Sequence, residues 1–272
     1  MNAPIGVFDS GIGGLSVLKA LRAALPHEDF IYLADNGHAP YGERDTAHVL
    51  ARSRAVTQYL ARQNIKALVV ACNTATAAAI DLLRTEHPYL PIIGVEPAVK
   101  PAVALSKTGR IGVMATRSTL TSARFQTLLA AQAGVAEFVL QPCYGLADAI
   151  ERGASTDDAT EIIAACARHT WAMGLFGTQP GHIDTLVLGC THYPFVSEHL
   201  QALVGVHVRL VETGEAVARQ ARRRLCGVAG GFDQGMTYQS RVRLLATGNG
   251  YALKAAAAHW LALREPVELL QI

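Results

Sequence analysis

Two stretches of the chain share one form: a continuous apolar run that ends in a cysteine followed by small polar residues. Residues 68–77 read LVVACNTATA and residues 186–194 read LVLGCTHYP. An unbroken Val/Leu run is typical of a parallel strand buried on both faces. Open parallel sheets bind their ligands at the carboxyl ends of strands. These two stretches therefore predict an α/β protein in which Cys72 and Cys190 lie at a ligand-binding site.

A second repeat indicates two similar α/β halves. Ile-Gly-Val begins at residue 5 and recurs at residue 111, and each copy is followed further along by a strand that delivers a cysteine. We expect residues 98–210 to form one domain and residues 1–97 with 211–272 to form the other, since the tail is too short for a third. Hydrophobic periodicity predicts strands at 5–8, 30–34, 65–71, 92–95, 110–114, 138–140, 182–188, 208–211 and 241–247, and helices at 45–63, 74–84, 157–173, 212–225 and 252–262, with a further helix starting within 143–152.

Charge and hydropathy argue against nucleic-acid and membrane partners. Lys and Arg number 24 against 22 Asp and Glu, a formal charge of +2, and the arginines of segment 219–224 are typical of a solvated helix face near its C-terminus. No stretch approaches the roughly 18 apolar residues of a spanning helix. The first residues lack the basic region of a secretory signal. We expect a soluble, cytoplasmic protein.

The cysteines are expected to be free thiols. They number five, are widely spaced and include no CxxC pair, unlike a disulfide framework or a zinc ribbon. Cys143, Cys166 and Cys226 are expected to be inert core residues. Cys72 and Cys190 differ because each precedes residues that open a helix, where partial positive charge lowers a thiol pKa from about 8.5.

Three kinds of chemistry suit two activated thiols. A nucleophile needs a histidine and an oxyanion hole, and leaves the second cysteine unexplained. A metal site could use Cys72, Cys190, His192 and Asp9, but the spacing is unlike that of zinc ligands. In the third, one thiolate removes a proton from carbon and the other thiol returns one to the opposite face. The third chemistry, which inverts the carbon, uses both thiols symmetrically.

Any carbanion would have to be stabilised by the protein itself, because no lysine lies in a recognisable pyridoxal motif. Hydrogen-bond donors in a closed site can do this, and the glycine-rich turn at residues 9–14 suits a carboxylate ligand. Asp9 and His192 flank the thiols and are expected to orient them, shuttle protons or hold an ammonium group. The candidate donors are Ser10, Asn73, Thr74, Thr191 and the backbone of Tyr41 and Gly42.

Four motifs resemble those of bacterial glutamate racemases, and the resemblance covers nearly the whole chain. They are FDSGIGGL at 8–15, PYG at 40–42, ACNTA at 71–75 and LGCTHYP at 188–194. The resemblance implies two facing flavodoxin-like parallel-sheet domains with pseudo-twofold similarity and an active site between them. It implies no cofactor and no metal, glutamate as the small-molecule substrate, and D-glutamate supply for peptidoglycan. A homodimer is compatible with the sequence, which does not fix the oligomeric state.

The resemblance also assigns residues. Cys72 is expected to exchange the proton on D-glutamate and Cys190 that on L-glutamate, assisted by Asp9 and His192. The implied substrate-binding residues are Asp9, Ser10, Tyr41, Gly42, Asn73, Thr74, Thr191 and His192. The implied minor contacts are Thr116, Thr119, Thr121 and Glu151.

Two loops depart from the family pattern, and two alternatives remain. Asn36 stands where the family usually has Thr, and Glu212 where it has Asp, which leaves the catalytic residues unchanged.

An aspartate racemase of the same superfamily would resemble Gly-Cys-Thr-Glu where this chain has Gly-Cys-Thr-His at 189–192. A non-catalytic amino-acid-binding protein with two lobes would need no thiol at either strand end.

Overall fold

The computed structural model describes residues 3–154, 156, 158–226 and 240–272, and its strands form two parallel sheets. Position 157, the first of one predicted helix, and the Cys226 side chain lie outside the described residues. The strands are β1 (Ile5–Asp9), β2 (Phe30–Ala34), β3 (Ala67–Val70), β4 (Ile92–Gly94), β5 (Arg110–Ala115), β6 (Glu137–Pro142), β7 (Thr185–Leu188), β8 (Arg209–Val211), β9 (Val242–Ala246) and β10 (Val267–Leu269).

Helices connect the strands and cover the sheets. The helices are α1 (Leu15–Ala24), α2 (Thr46–Arg62), α3 (Asn73–Glu86), α4 (Val99–Leu105), α5 (Arg117–Thr121), α6 (Ala123–Ala130), α7 (Leu146–Gly153), α8 (Thr160–Trp171), α9 (Ser197–Val204), α10 (Gly214–Cys226) and α11 (Gly250–Leu261). Two short 3-10 turns lie at Tyr41–Glu43 and Tyr193–Val196. Within the described part of the chain, no helix has the length and apolarity needed to cross a bilayer.

The two sheets share one strand order. The first runs β10-β9-β2-β1-β3-β4 and the second β6-β5-β7-β8. Apart from the two strands added at one edge of the first sheet, both follow the flavodoxin-like order 2-1-3-4. The two Ile-Gly-Val strands, β1 and β5, therefore pair directly with the two strands that lead to the cysteines, β3 and β7. The predicted fold class, α/β with two parallel sheets, is confirmed.

The strands read as continuous apolar runs because both faces of each sheet are covered. In β1, Ile5 and Val7 belong to one core cluster and Phe8 belongs to the cluster on the other face. All five residues of β1 are buried. Such strands leave polar side chains only at their ends, which is where the site is found.

The tail of the chain joins the first sheet. β9 pairs with β2, from Phe30 opposite Val242 to Ala34 opposite Ala246, and β10 pairs with β9. Val217 and Ala221 of α10 pack in the same core cluster as α1. The division into domains at 97/98 and 210/211 stays a prediction.

The structure adds local detail to the sequence expectations. The helix expected to start within 143–152 is confirmed and begins at Leu146, because Gly145 has a φ of 72° and ends the extended segment before it. The polar segment after Thr116 forms two short helices, α5 and α6, joined at Ser122. The sequence pattern did not predict β10, whose residues are half-buried or exposed and form no apolar run around Glu268.

Candidate active site

Strand ends from both sheets meet around one cavity. β1 ends at Asp9 and leads to Ser10, β3 leads to Cys72, β5 to Thr116 and β7 to Cys190. All of these except Asp9, which lies fully buried beside them, line a cavity with about 610 Å³ of empty space. The carboxyl ends of parallel strands are the usual ligand position in this kind of fold. Two thiols from different sheets therefore line one cavity.

Cys72 is buried at the N-terminus of α3. Its Sγ accepts a hydrogen bond from the Ala75 amide at 3.5 Å and lies 3.8 Å from the Ser10 hydroxyl. Burial, followed by the nearby Asp9 carboxylate, raises the pKa of the Cys72 thiol to about 12. The expected lowering of this pKa is wrong, because loss of hydration outweighs the single amide donor of the helix terminus.

Cys190 contacts His192, and Glu151 contacts the other ring nitrogen of that histidine. Its Sγ lies 3.5 Å from His192 Nδ1, and His192 Nε2 lies 2.7 Å from Glu151 Oε1. Burial alone would lower the pKa of His192, but the Cys190 sulfur and the Glu151 carboxylate outweigh it and hold that pKa well above its usual range. The pair gives the second thiol a cationic neighbour.

The glycines of the turn after β1 make room for this pair. A Cβ at Gly11 would overlap the carboxylate of Glu151, and a Cβ at Gly13 would overlap the imidazole of His192. The next backbone amide, that of Ile12, donates to Glu151 Oε1 at 2.7 Å. The turn expected to bind a carboxylate ligand thus binds a carboxylate side chain.

Asp9 ties the two halves of the site together. Its Oδ1 accepts from the Gly11 amide at 2.7 Å, and its Oδ2 accepts from the Thr191 hydroxyl at 3.0 Å. The Thr191 carbonyl in turn accepts from Ser16 Oγ at 2.8 Å. Burial raises the pKa of Asp9, opposed mainly by the nearby His192. This carboxyl group is therefore a buried partner of both half-sites.

Most of the residues named from the sequence line the cavity. The lining residues among them are Ser10, Tyr41, Gly42, Cys72, Asn73, Thr74, Thr116, Glu151, Cys190, Thr191 and His192. The Oδ1 of Asn73 is buried without a hydrogen-bond partner, so an acceptor is free there. Thr119 lies behind Thr116, with 2.9 Å between the hydroxyl oxygens, and Thr121 lines a neighbouring groove. Their contact with substrate stays a prediction.

Further residues line the cavity that the sequence did not single out. They are Ala39, Pro40, Glu43, Arg117, Cys143, Tyr144, Gly145, Ala147 and Asp148. Pro40 and Glu43 flank the Tyr41–Gly42 pair, and residues 143–145 follow the end of β6. Their positions beside a motif or after a strand could have identified them as candidate lining residues. Cys143 is buried as expected of a core residue, and burial keeps its pKa raised.

Metal ligation finds no geometric support in the described residues. No group of three or more His, Cys, Asp or Glu side chains there is placed to hold a metal ion. The four described cysteines, at 72, 143, 166 and 190, are free and buried. The four residues considered for a metal are instead engaged with serine, threonine, amide and carboxylate partners.

Comparison with known proteins agrees with this geometry. Residues 5–221 match the Asp/Glu/Hydantoin racemase family. The chain belongs to that family. It is 50% identical over 224 residues to a glutamate racemase from Ectopseudomonas mendocina, covering 82% of each chain. It is 44% identical over 266 residues to one from Herpetosiphon aurantiacus, covering 98% of each.

Solved structures of glutamate racemases have the same fold. One from Bacillus anthracis superposes with a TM-score of 0.86 at 29% identity, covering 100% of this chain and 98% of that one. The Francisella tularensis enzyme, in complex with D-glutamate, gives 0.81 at 26% identity, and the Escherichia coli enzyme, with L-glutamate and an activator, gives 0.83 at 30%. Both cover 99% of this chain and 98% of their own.

Proposed function

We propose that this protein is a glutamate racemase that interconverts L- and D-glutamate by proton transfer at the α-carbon, with two thiols and no cofactor. Relatives that are 44–50% identical over most of the chain are glutamate racemases, and solved relatives bind L- or D-glutamate. The observation that carries the proposal is that Cys72 and Cys190 enter one cavity from two different sheets. Inversion of a carbon needs a base on one face and an acid on the other.

The two thiols exchange roles with direction. From L-glutamate, the Cys190 thiolate takes the α-proton and the Cys72 thiol delivers one to the opposite face; from D-glutamate, the transfers reverse. The His192 cation stabilises negative charge on the Cys190 sulfur at 3.5 Å. The raised pKa of Cys72 keeps its proton in place until the carbanion forms. Each transfer moves one proton, so the thiol and thiolate have exchanged after one turnover.

The remaining site residues bind the substrate and support charge. We assign the hydrogen bonds with the substrate to Ser10, Asn73, Thr74, Thr191 and the backbone at 41–42, with the free Oδ1 of Asn73 as an acceptor. A desolvated site strengthens each of these bonds in the transition state. Asp9 supports the substrate ammonium group from behind the cavity lining, through Thr191, and Glu151 holds His192.

The cellular role follows from the product. D-glutamate enters peptidoglycan, and we place this step in the cytoplasm. The substrate lies between two domains, residues 98–210 on one side and 1–97 with 211–272 on the other. A homodimer is the assembly to be tested by sedimentation.

Circular dichroism with L-glutamate and no added cofactor tests the proposal. The signal should decay to zero for the wild-type protein, and Cys72→Ala and Cys190→Ala should each abolish the decay in both directions. Cys166→Ala, which removes a buried thiol outside the cavity, is the matched control and should stay active. In heavy water, solvent deuterium should appear mainly in the newly formed enantiomer. Racemisation by Cys190→Ala, or extensive transfer of substrate protium to product, would refute the two-thiol mechanism.

A further inference from the structure

Arg117 lies where the cavity opens to solvent. It is the first residue of α5, directly after the β5 strand end, and its side chain is exposed. It lines both the cavity that holds the thiols and a wide open groove outside it, which Glu43, Arg44 and Tyr144 also line. A solute that moves from this groove to the thiols passes the Arg117 guanidinium.

The other charged groups of the cavity wall are already engaged. Asp148 pairs with Arg152, and Glu151 pairs with His192. Glu43 accepts a hydrogen bond from the Gly145 amide at 3.3 Å. Among the described residues, Arg117 has no carboxylate within 4.0 Å and no side-chain hydrogen bond. Its guanidinium therefore forms no ion pair, although the Glu43 and Asp45 carboxylates line the same groove.

Helix stability does not explain a cation at this position. Arg117 occupies the first turn of α5, where the helix dipole favours negative charge and disfavours positive charge. The α5 N-cap is already supplied by Thr116, whose hydroxyl accepts from the Thr119 amide at 3.2 Å. The charge of Arg117 therefore does not stabilise α5, and it lies at the groove and the cavity.

We propose that Arg117 is the steering residue of the proposed racemase: its free charge draws amino acids with two carboxylates from the groove into the cavity. This inference rests on the proposed function, which makes the substrate a net anion with two carboxylates and one ammonium group. An unpaired charge at a cleft mouth raises the local concentration of an oppositely charged substrate. Arg117 therefore acts on kcat/KM and leaves kcat, which is set at the thiols, unchanged.

A graded series of charges at residue 117 tests this. Arg117→Lys, Arg117→Gln and Arg117→Glu are assayed for kcat and KM with L-glutamate at low and high salt. At about 10 mM salt, where the Debye length is about 30 Å, kcat/KM should fall about threefold for each unit of positive charge removed, while the lysine variant stays within about twofold of wild type. In about 0.5 M salt the variants should converge, because exposed charges are then screened. kcat should be the same throughout.

Arg209→Gln is the matched control, because Arg209 is exposed at the start of β8, at the end of the strands opposite the cavity. It should leave kcat/KM within about twofold of wild type at both salt concentrations. Melting temperatures should not fall, since Arg117 is exposed and its positive charge is disfavoured in the first turn of α5.

Three results would overturn the inference: kcat/KM independent of the charge at residue 117, an effect that persists at high salt, or an equal effect of Arg209→Gln. An inactive wild-type protein would overturn the proposed function and this inference with it. An active wild-type protein with variants equal to it overturns the inference alone.

Discussion

Replacing Glu151 with glutamine should weaken the site most where His192 is charged. The change keeps the size of the side chain and its acceptor for the Ile12 amide, 2.7 Å away, but removes the carboxylate from His192 Nε2, also 2.7 Å away. The two side chains are 18% and 6% exposed, so solvent screens the pair little. A hydrogen bond between charged groups contributes about 1.5–3 kcal/mol. Glu151→Gln should therefore cost about this much unfolding free energy with His192 protonated.

The cost should depend on pH in a fixed direction. The pKa of His192 is raised above its ordinary value of 6.5 in the folded protein, so its ionic contribution is fully present below the unfolded pKa and is lost as pH rises through the folded pKa. Removing Glu151 also lowers the pKa of His192. The stability difference between wild type and variant should be largest below the ordinary histidine pKa of 6.5 and shrink as pH rises through the raised pKa of His192.

Urea unfolding of both proteins across this range measures the difference, and NMR titration of histidine-labelled protein follows His192 directly. Asp148→Asn is the matched control, because it removes a carboxylate from the same helix that pairs with Arg152 instead. It should leave the His192 titration unchanged. A Glu151→Gln cost that is the same at every pH, or an unshifted His192, would refute the reasoning. Racemisation should slow as well, because the Cys190 sulfur loses a fully charged neighbour.

Three further changes probe the site. Gly13→Ala should lower racemisation about 100-fold with the fold intact by far-ultraviolet circular dichroism, since the new methyl displaces His192 and small misplacements of catalytic groups are costly; normal kcat would contradict this. Tyr41→Phe should cost about 1.5–3 kcal/mol in urea unfolding because the phenol donates to the buried Asp35 carboxylate. A neutral result would contradict this and would mean that Arg52, whose guanidinium lies 2.8 Å from the same carboxylate, compensates fully. Cys143→Ala should keep its racemase activity and lose only about 1 kcal/mol of unfolding free energy; loss of activity would give this third thiol a catalytic role.

The sequence by itself determined the strands and the positions of the two thiols. Apolar runs that stop at Cys72 and Cys190 are local signals, and the repeat of Ile-Gly-Val at residues 5 and 111 already indicated two similar α/β halves. Their common strand order became known only from the structure. These features can be predicted because a strand buried on both faces consists of consecutive apolar residues. The strand β10 was not predicted, since its residues are half-buried or exposed and form no apolar run.

Only the tertiary structure decided how the site is charged. The Ile12 amide donates to Glu151, 139 positions further along the chain. The Glu151 carboxylate fits there because Gly11 has no side chain, and the sequence does not show that these two residues are neighbours. The pKa of Cys72 is raised rather than lowered, although it lies at a helix N-terminus. A helix terminus is a local property of the chain, whereas desolvation is set by every segment that closes over the thiol, and here desolvation is the larger effect.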